Sequence, residues 1–370
     1  MKLLAKTLEG LEDVLAKEIA DVGGTEIKIL KRAVQYEGDR ECLYRSNIML
    51  RTALRILVVK KTFNVRDDDH LYEQIKSIPW EGIMTLNDTF AIDATSSGEV
   101  FTHSKYIALK SKDAIADRFV EKFGKRPNVN VLEPTYRITI HIRDTRATLS
   151  LDSSAESLHM RGYRANTVDA PMNEALAAGI LLLSRWSGDT PFMDPMCGSG
   201  TILIEAARLA LNHPTQKKDR YFGFKRWKSY DKDLYEEIYQ DQLNKRIDKK
   251  LEIYGQDKSL RSVKVTQQNL VEAGLDDIIS VIKKDFFKTY PPKGVTVMLN
   301  PPYDTRLKED DINKFYRNMG DKFHKDFIKA DPWIFSGNLE ALEEVDLGIN
   351  NVFNLMNGGM PAKLVNYYFD

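Results

Sequence analysis

The sequence predicts an α/β domain built on a doubly wound, mostly parallel sheet with a C-terminal hairpin. Two smaller α+β units precede it. Three observations carry that prediction. From about residue 170, short apolar strands alternate with helical segments, which is the pattern of a parallel sheet. Before that point, two mixed segments each hold their own strand and helix signals. The chain has 370 residues, and at ~150 residues per domain that leaves room for two or three domains.

Each element has its own signal. Residues 3–6 are a short apolar strand. In residues 9–22, Leu11, Val14, Leu15 and Ile19 recur at helical spacing until Gly23-Gly24 stops them. Residues 25–30 alternate with Ile27 and Ile29 on one face, residues 33–36 form another strand, 40–50 a helix, and 53–65 a β-branched run. The order β-α-β-β-α-β over 1–65 is ferredoxin-like. In the second unit, 66–155, Asp67-Asp68-Asp69 opens a helix over 71–78, and residues 90–94 form a strand. Residues 104–123 read as a helix ended by Gly124, and 136–141 with 147–151 read as a hairpin. Residues 156–170 link these units to the last domain, 171–370. That domain starts with a helix over 172–186, a strand at 192–193, a glycine loop and a helix over 201–211. Strands follow at 251–254, 278–282, 295–299 and 333–335. A final hairpin over 352–368 turns at Asn357-Gly358-Gly359. Residues 212–250, dense in charge and aromatics, read as an insertion.

Composition removes several classes. Apolar residues make up 42%, enough for packed cores. Two cysteines, Cys42 and Cys197, cannot build a disulfide scaffold or a cysteine zinc site. No apolar run reaches the ~20 residues that span a bilayer, and no export signal precedes the first strand, so a cytoplasmic protein without a membrane partner is expected. His70, His103, His141, His159, His213 and His324 show no paired metal spacing, so no metal is expected. Lys+Arg and Asp+Glu both number 54, a balance that at first sight disfavours a nucleic-acid partner.

The loop Asp194-Pro195-Met196-Cys197-Gly198-Ser199-Gly200-Thr201 lies between a strand and a helix. In an open α/β sheet that is where ligands bind, and glycines let a ligand approach the backbone. A dinucleotide fingerprint would need glycine at 203, where Leu203 stands. A P-loop would need Gly-Lys before the hydroxyl, where Gly200-Thr201-Ile202 stands. Asp257, after the next strand, either accepts ribose hydroxyls or caps a helix over 259–273. Asp285-Phe286, after the third, either meets an adenine amino group and ring or forms a plain turn. The strand at 295–299 runs into Asn300-Pro301-Pro302-Tyr303. Two prolines fix the chain there. The Asn300 amide oxygen can accept from an amino group, and Tyr303 offers a face for a base. Together they suit the holding of a planar exocyclic –NH2 toward an electrophile.

With these motifs in order, the chain resembles the class I S-adenosylmethionine-dependent amino methyltransferases. Further stretches are similar to the bacterial THUMP-domain guanine-N2 methyltransferases of large-subunit ribosomal RNA. They are residues 4–23, Leu158-His159-Met160-Arg161-Gly162-Tyr163-Arg164, Ala170-Pro171, Leu176-Ala177-Ala178, and Arg220-Tyr221-Phe222-Gly223-Phe224 with Trp227. Asn357-Gly358, with the alternating strand after it, belongs to the same set. The resemblance covers essentially the whole chain. It implies a Rossmann-like methyltransferase domain behind ferredoxin-like and THUMP units, in the single-activity form. It implies that S-adenosylmethionine lies along Asp194, Pro195, Cys197, Gly198, Gly200 and Thr201, with Asp257 at the ribose and Asp285 and Phe286 at adenine. Asn300 and the Pro301 carbonyl would accept the two amino protons of the target, Pro302 would hold the turn, and Tyr303 would stack on the base. Asp304-Thr305 departs from the Gly-Glu more usual after the tetrad.

The same tetrad could serve adenine N6, a tRNA guanine or a glutamine amide, and a silent RNA-binding assembly factor is the rival of another class. Cys197 as a nucleophile is disfavoured, since no histidine partner is evident. Within 101–150, ten basic residues face five acidic ones. Lys105, Lys112, Lys125 and Arg126 of this stretch, with Arg161 and Arg164, are the expected RNA contacts, and the RNA would be ribosomal or a precursor particle. A second basic cluster, Lys217 to Lys228, is interleaved with aromatics. It is either a base-stacking surface beside the target pocket or a packed insertion.

Overall fold

The computed structural model describes residues 1–166, 171–302 and 309–369. The first half contains β1 (Lys2–Lys6), α1 (Glu12–Asp21), β2 (Thr25–Leu30), β3 (Ala33–Glu37), α2 (Arg40–Met49) and β4 (Arg55–Asn64). It continues with α3 (Asp68–Lys76), β5 (Thr89–Ser97), α4 (Ser104–Phe123), β6 (Asn128–Val129), β7 (Tyr136–Arg143) and β8 (Arg146–Asp152). Asp67 caps α3 by accepting from the His70 N–H at 2.7 Å, so the aspartate run is a helix start. Residues 136–152 form the expected hairpin, pairing from Ile138↔Leu151 to Arg143↔Arg146.

The two N-terminal units share one sheet, in the order β2-β3-β1-β4-β8-β7-β5-β6. A ferredoxin-like unit alone would leave β4 as an open edge. Here β4 pairs with β1 on one side and with β8 on the other, from Leu57↔Asp152 to Asn64↔Arg146. One hydrophobic core runs beneath both units.

The second half contains α5 (Glu174–Ser184), β9 (Phe192–Asp194), α6 (Thr201–Ala210), α7 (Lys232–Asn244), β10 (Ile253–Asp257), α8 (Leu260–Ala273) and β11 (Ile279–Lys283). After these come β12 (Thr296–Leu299), α9 (Glu309–Asp326), β13 (Asp331–Ser336), α10 (Leu339–Glu343), β14 (Gly348–Asn357) and β15 (Met360–Tyr368). The sheet order is β11-β10-β9-β12-β13-β15-β14, with β9 to β13 parallel and β15 antiparallel to β13 and β14. One apolar core covers one face through α5, α6 and α8, and another covers the opposite face through α9 and α10. The doubly wound expectation holds, with shifted boundaries. The strand expected at 251–254 runs from Ile253 to Asp257, because both its edges are paired. The helix expected from residue 172 begins at Glu174, because the Asn173 side chain accepts from the Ala175 and Leu176 N–H groups.

The aromatic residues of the insertion are packed, while most of its charged ones stay exposed. Phe222 and Phe224 are fully buried, and Trp227, Tyr235 and Tyr239 join the core of the N-terminal sheet. Tyr44 of α2 stacks on Phe224 at 4.6 Å. Phe222, Phe224, Tyr235 and Tyr239 are occupied by one another and by Tyr44, which corrects the base-stacking alternative for those four.

Candidate active site

The carboxyl ends of four adjacent strands converge where the order of winding reverses. That switch point lies between β9 and its two neighbours, β10 and β12. Asp194 is the last residue of β9, and Pro195 and Met196 lead into the loop. Gly198 and Gly200 adopt left-handed backbone, with φ of 57° and 81°. A Cβ on Gly200 would lie 2.6 Å from Thr266 Cγ2 of α8, so any other residue would force the loop or α8 to shift. The loop is fastened from three sides. The Cys197 N–H donates to the Gln256 carbonyl at 2.9 Å. The Thr266 hydroxyl donates to the Gly198 carbonyl at 3.0 Å, and Asn269 Nδ2 donates to the Ser199 carbonyl at 2.9 Å. Thr201 then begins α6, whose N-terminal amides face the loop.

Asp257 ends β10. Its Oδ2 accepts from the Gly198 N–H at 3.1 Å and its Oδ1 from the Ser259 N–H at 2.8 Å. The cap of α8 is Ser259, which settles that alternative for Asp257. The Asp285 carboxylate accepts from the Phe287 N–H at 3.0 Å. Phe286 differs from expectation. Its ring is 3% exposed and packs 5.5 Å from Phe323 and 5.6 Å from Phe327. It is committed to the core and has no face left for a ligand; it anchors the turn that carries Asp285.

Asn300 follows β12. Its Oδ1 is buried and has no hydrogen-bond partner among the described residues. A buried acceptor left unpaired costs roughly 1–3 kcal/mol, so such a group points to a missing donor. Pro301 is buried and Pro302 exposed, and Tyr303 lies outside the described residues.

Asp194 is 1% exposed. Burial pushes its carboxyl up to about 8, and the nearby Asp257 charge adds to the effect. A buried carboxyl of this kind is suited to a cationic partner. Burial, then the charge of Asp194, also pushes the Cys197 thiol well up. With Thr266 Oγ1 at 3.7 Å from the sulfur, Cys197 is a packing residue of the loop. Among the described residues, no group of three acidic, histidine or cysteine side chains could hold a metal ion.

Arg161 and Arg164 do not face an RNA. Arg161 is 2% exposed, donates to the Leu158 and Arg51 carbonyls, and lies 3.7 Å from Glu205 of α6. Tyr163 donates to the same carboxylate at 3.0 Å. Arg164 donates to the Thr201 hydroxyl at 3.2 Å and pairs with Glu174 at 3.2 Å. The Arg-Gly-Tyr-Arg stretch is therefore an internal brace on the helix behind the glycine loop. Of the other expected contacts, Lys105, Lys125 and Arg126 are exposed and Lys112 is half-buried. Lys112 lies 3.1 Å from Asp113 and Arg126 lies 3.4 Å from Asp117. Thr266 and Asn269, which hold the loop, escape the sequence motifs. Their signal is weak but present, as polar residues three apart on the apolar side of an amphipathic helix.

An eight-stranded N-terminal sheet joined to a sheet of order 3-2-1-4-5-7-6, with a glycine loop and an Asn-Pro-Pro turn at its switch point, defines a class I methyltransferase carrying accessory domains. Comparison with known proteins supplies the family. The methyltransferase domain described as RMKL-like matches residues 161–363, more than half of the chain. A THUMP domain matches residues 65–152, and the RlmL ferredoxin-like domain matches residues 2–57. The chain belongs to the RMKL-like methyltransferase family.

The ribosomal RNA large subunit methyltransferase K/L of Syntrophotalea carbinolica is 32% identical over 380 residues, covering 99% of this chain and 53% of the relative. This chain thus spans about half the length of that relative. A Synechocystis sp. protein named "Putative RNA methyltransferase slr0064" is 32% identical, with 98% of this chain and 95% of that protein covered. The solved structure titled "SMU.472, a putative methyltransferase complexed with SAH" superposes with a TM-score of 0.91 at 28% identity, covering 100% of this chain and 98% of the other.

Proposed function

We propose that this protein transfers a methyl group from S-adenosylmethionine to the exocyclic N2 amino group of a guanine in RNA, and that the RNA is 23S-type large-subunit ribosomal RNA. The single observation that carries the proposal is the Asn300 oxygen at the switch point, unpartnered among the described residues and just past the strand that pairs with β9. It is a buried acceptor with no donor among the described residues. An incoming amino group supplies one. The family and the K/L relative's name support ribosomal RNA as substrate. The THUMP match supports RNA as the partner. The demethylated cofactor named with the superposed structure supports S-adenosylmethionine. Action on ribosomal RNA would call for a cytoplasmic protein. Among the described residues no helix is long and apolar enough to cross a membrane.

The residues present fit the cofactor. Asp194 would take its cationic amino end, Gly198 and Gly200 leave the backbone bare along the loop, Asp257 would accept the ribose hydroxyls, and Asp285 would meet the adenine amino group. When bound, the cofactor supplies an electrophilic methyl on a sulfonium with a neutral leaving group. What remains for the chain is mostly positioning. Asn300 Oδ1 and the Pro301 carbonyl accept the two amino protons. They favour the more pyramidal nitrogen that develops as its lone pair leaves conjugation, which stabilises the transition state over the ground state. Pro302 fixes the turn. Tyr303 would stack on the base.

Asn300→Ala is expected to abolish transfer to ribosomal RNA while S-adenosylmethionine still binds within about twofold of wild type. Full activity in that variant would reject the clamp. Nucleoside analysis of ribosomal RNA from a strain lacking the protein should show one missing N2-methylguanosine; an unchanged profile would reject the substrate.

A further inference from the structure

A cavity of about 280 Å³ lies where the N-terminal sheet, α2 and the insertion meet, and it shares no residue with the switch-point site. Its volume is near the lower end of small-ligand sites, which run from ~300 Å³. The walls are aromatic: Tyr44, Tyr136, Phe224, Trp227 and Tyr230. Arg40, Lys60 and Lys228 line it as well, and no carboxylate does among the described residues. Arg40, Lys60 and Lys228 are all exposed, so the cations sit at the mouth.

Two details set this cavity apart from a packing defect. Trp227 is 7% exposed, and its indole Nε1–H is buried with no partner among the described residues. The walls are also held in position. The Tyr136 ring lies parallel to Trp227 within 9°, at 6.1 Å between centroids. The Tyr136 hydroxyl accepts from the Lys228 N–H at 3.2 Å, and the Tyr44 hydroxyl accepts from the Asp231 N–H at 3.0 Å. Each of these phenols thus holds a backbone N–H, and the buried indole N–H has no acceptor among the described residues. A purely apolar occupant would leave it unpaired.

We propose that this cavity is a second nucleotide pocket, which takes one unpaired base together with its phosphate. The faces of Tyr44 and Phe224 are spent on each other, so a base would lie against Trp227 and the half-buried Tyr230, with a carbonyl or ring nitrogen to accept from the indole. At the mouth Arg40 pairs with Asp231 at 3.5 Å, which leaves Lys60 and Lys228 to meet a phosphate. Two sources offer this chemistry, an extruded nucleotide of the substrate RNA and a free mononucleotide. That RNA is the source rests on the function proposed above; that the cavity takes a base with phosphate does not.

The test uses the full chain, with direct binding as its readout and methyl transfer measured separately. GMP, AMP and UMP are titrated against intrinsic tryptophan fluorescence, and a labelled unpaired decaribonucleotide is titrated by anisotropy. Trp227→Phe keeps the ring and deletes the donor. Lys228→Ala changes only an exposed side chain and serves if the first variant fails to fold. The RNA source predicts that both variants weaken decaribonucleotide binding at least fivefold. The thermal midpoint and S-adenosylmethionine affinity should stay at wild-type values. Quenching by mononucleotides, lost in Lys228→Ala while RNA affinity is unchanged, would assign the pocket to a free nucleotide. No quenching, with wild-type RNA affinity in both variants, would overturn the proposal. Asn300→Ala binds RNA normally in every one of these arms, so failure of the transfer site is read separately.

Discussion

Asp194 shows how one buried side chain links stability to pH. Its folded carboxyl sits at about 8, against ~3.9 in an unfolded chain. A group raised in this way stabilises the fold fully below the unfolded value and loses that contribution as pH rises through the folded value. Cofactor-free protein should therefore melt lower at pH 8.5 than at pH 5.5 through this group. Asp194→Asn should flatten that slope, by about 3 °C or more in a scanning melt. An identical slope in both proteins would show that the carboxyl is already ionised in the fold. Gly200→Ala is the backbone counterpart. With φ of 81° and Thr266 Cγ2 within 2.6 Å of any added Cβ, the loop must shift. Cofactor affinity is expected to fall tenfold or more in calorimetry, while RNA binding stays intact.

At the scale of elements, the basic stretch around α4 divides into two kinds of cation. Arg118 and Lys122 pair with Glu81, Lys110 with Asp69, and Arg137 with Asp93, so these fasten the unit internally. Lys125 and Arg126, just past Gly124, are exposed, and among the described residues Arg126 reaches only Asp117, at 3.4 Å. Charge reversal at both should weaken RNA binding and lower its salt slope by about 1–2, with cofactor affinity unchanged. Equal loss of both affinities would instead indicate misfolding. α4 itself was legible to the residue, because its apolar period is long and Gly124 closes it at φ of 70°. The role of the Arg-Gly-Tyr-Arg stretch was not legible. A short run with two arginines looks like a phosphate binder, and only its partners, Glu205 and Glu174, turn it into a brace.

Across the whole molecule, that brace joins the two sheets. Arg51, at the end of the ferredoxin-like unit, donates to the Arg208 and His213 carbonyls, and Arg161 donates back to the Arg51 carbonyl. In the adjoining core, Leu11 meets Gly179 of α5, where a Cβ would lie 2.5 Å from Leu11 Cδ1. Arg161→Met removes one partner of a buried pair and leaves Glu205 behind, which costs roughly 3–5 kcal/mol. The expected result is a lower thermal midpoint with the two halves uncoupling in the melt. A single transition at the wild-type temperature would show that the pair contributes nothing.

The sequence by itself determined the alternation of elements, the glycine loop and the Asn-Pro-Pro turn. It did so because periodicity, positive-φ glycines and proline are local constraints that act wherever the chain goes. Tertiary structure alone decided how polar and aromatic side chains are spent. Phe286, Phe222 and Tyr235 could equally have stacked on a base, and Arg161 could equally have met a phosphate. Burial closed those options. The same packing left Asn300 Oδ1 and Trp227 Nε1 without partners among the described residues, and no pattern along the chain encodes a missing partner. Nor does the neutral total of charge foretell the mouth at Arg40, Lys60 and Lys228, since residues far apart in sequence meet there only when β4 closes against β8 and the insertion folds over both.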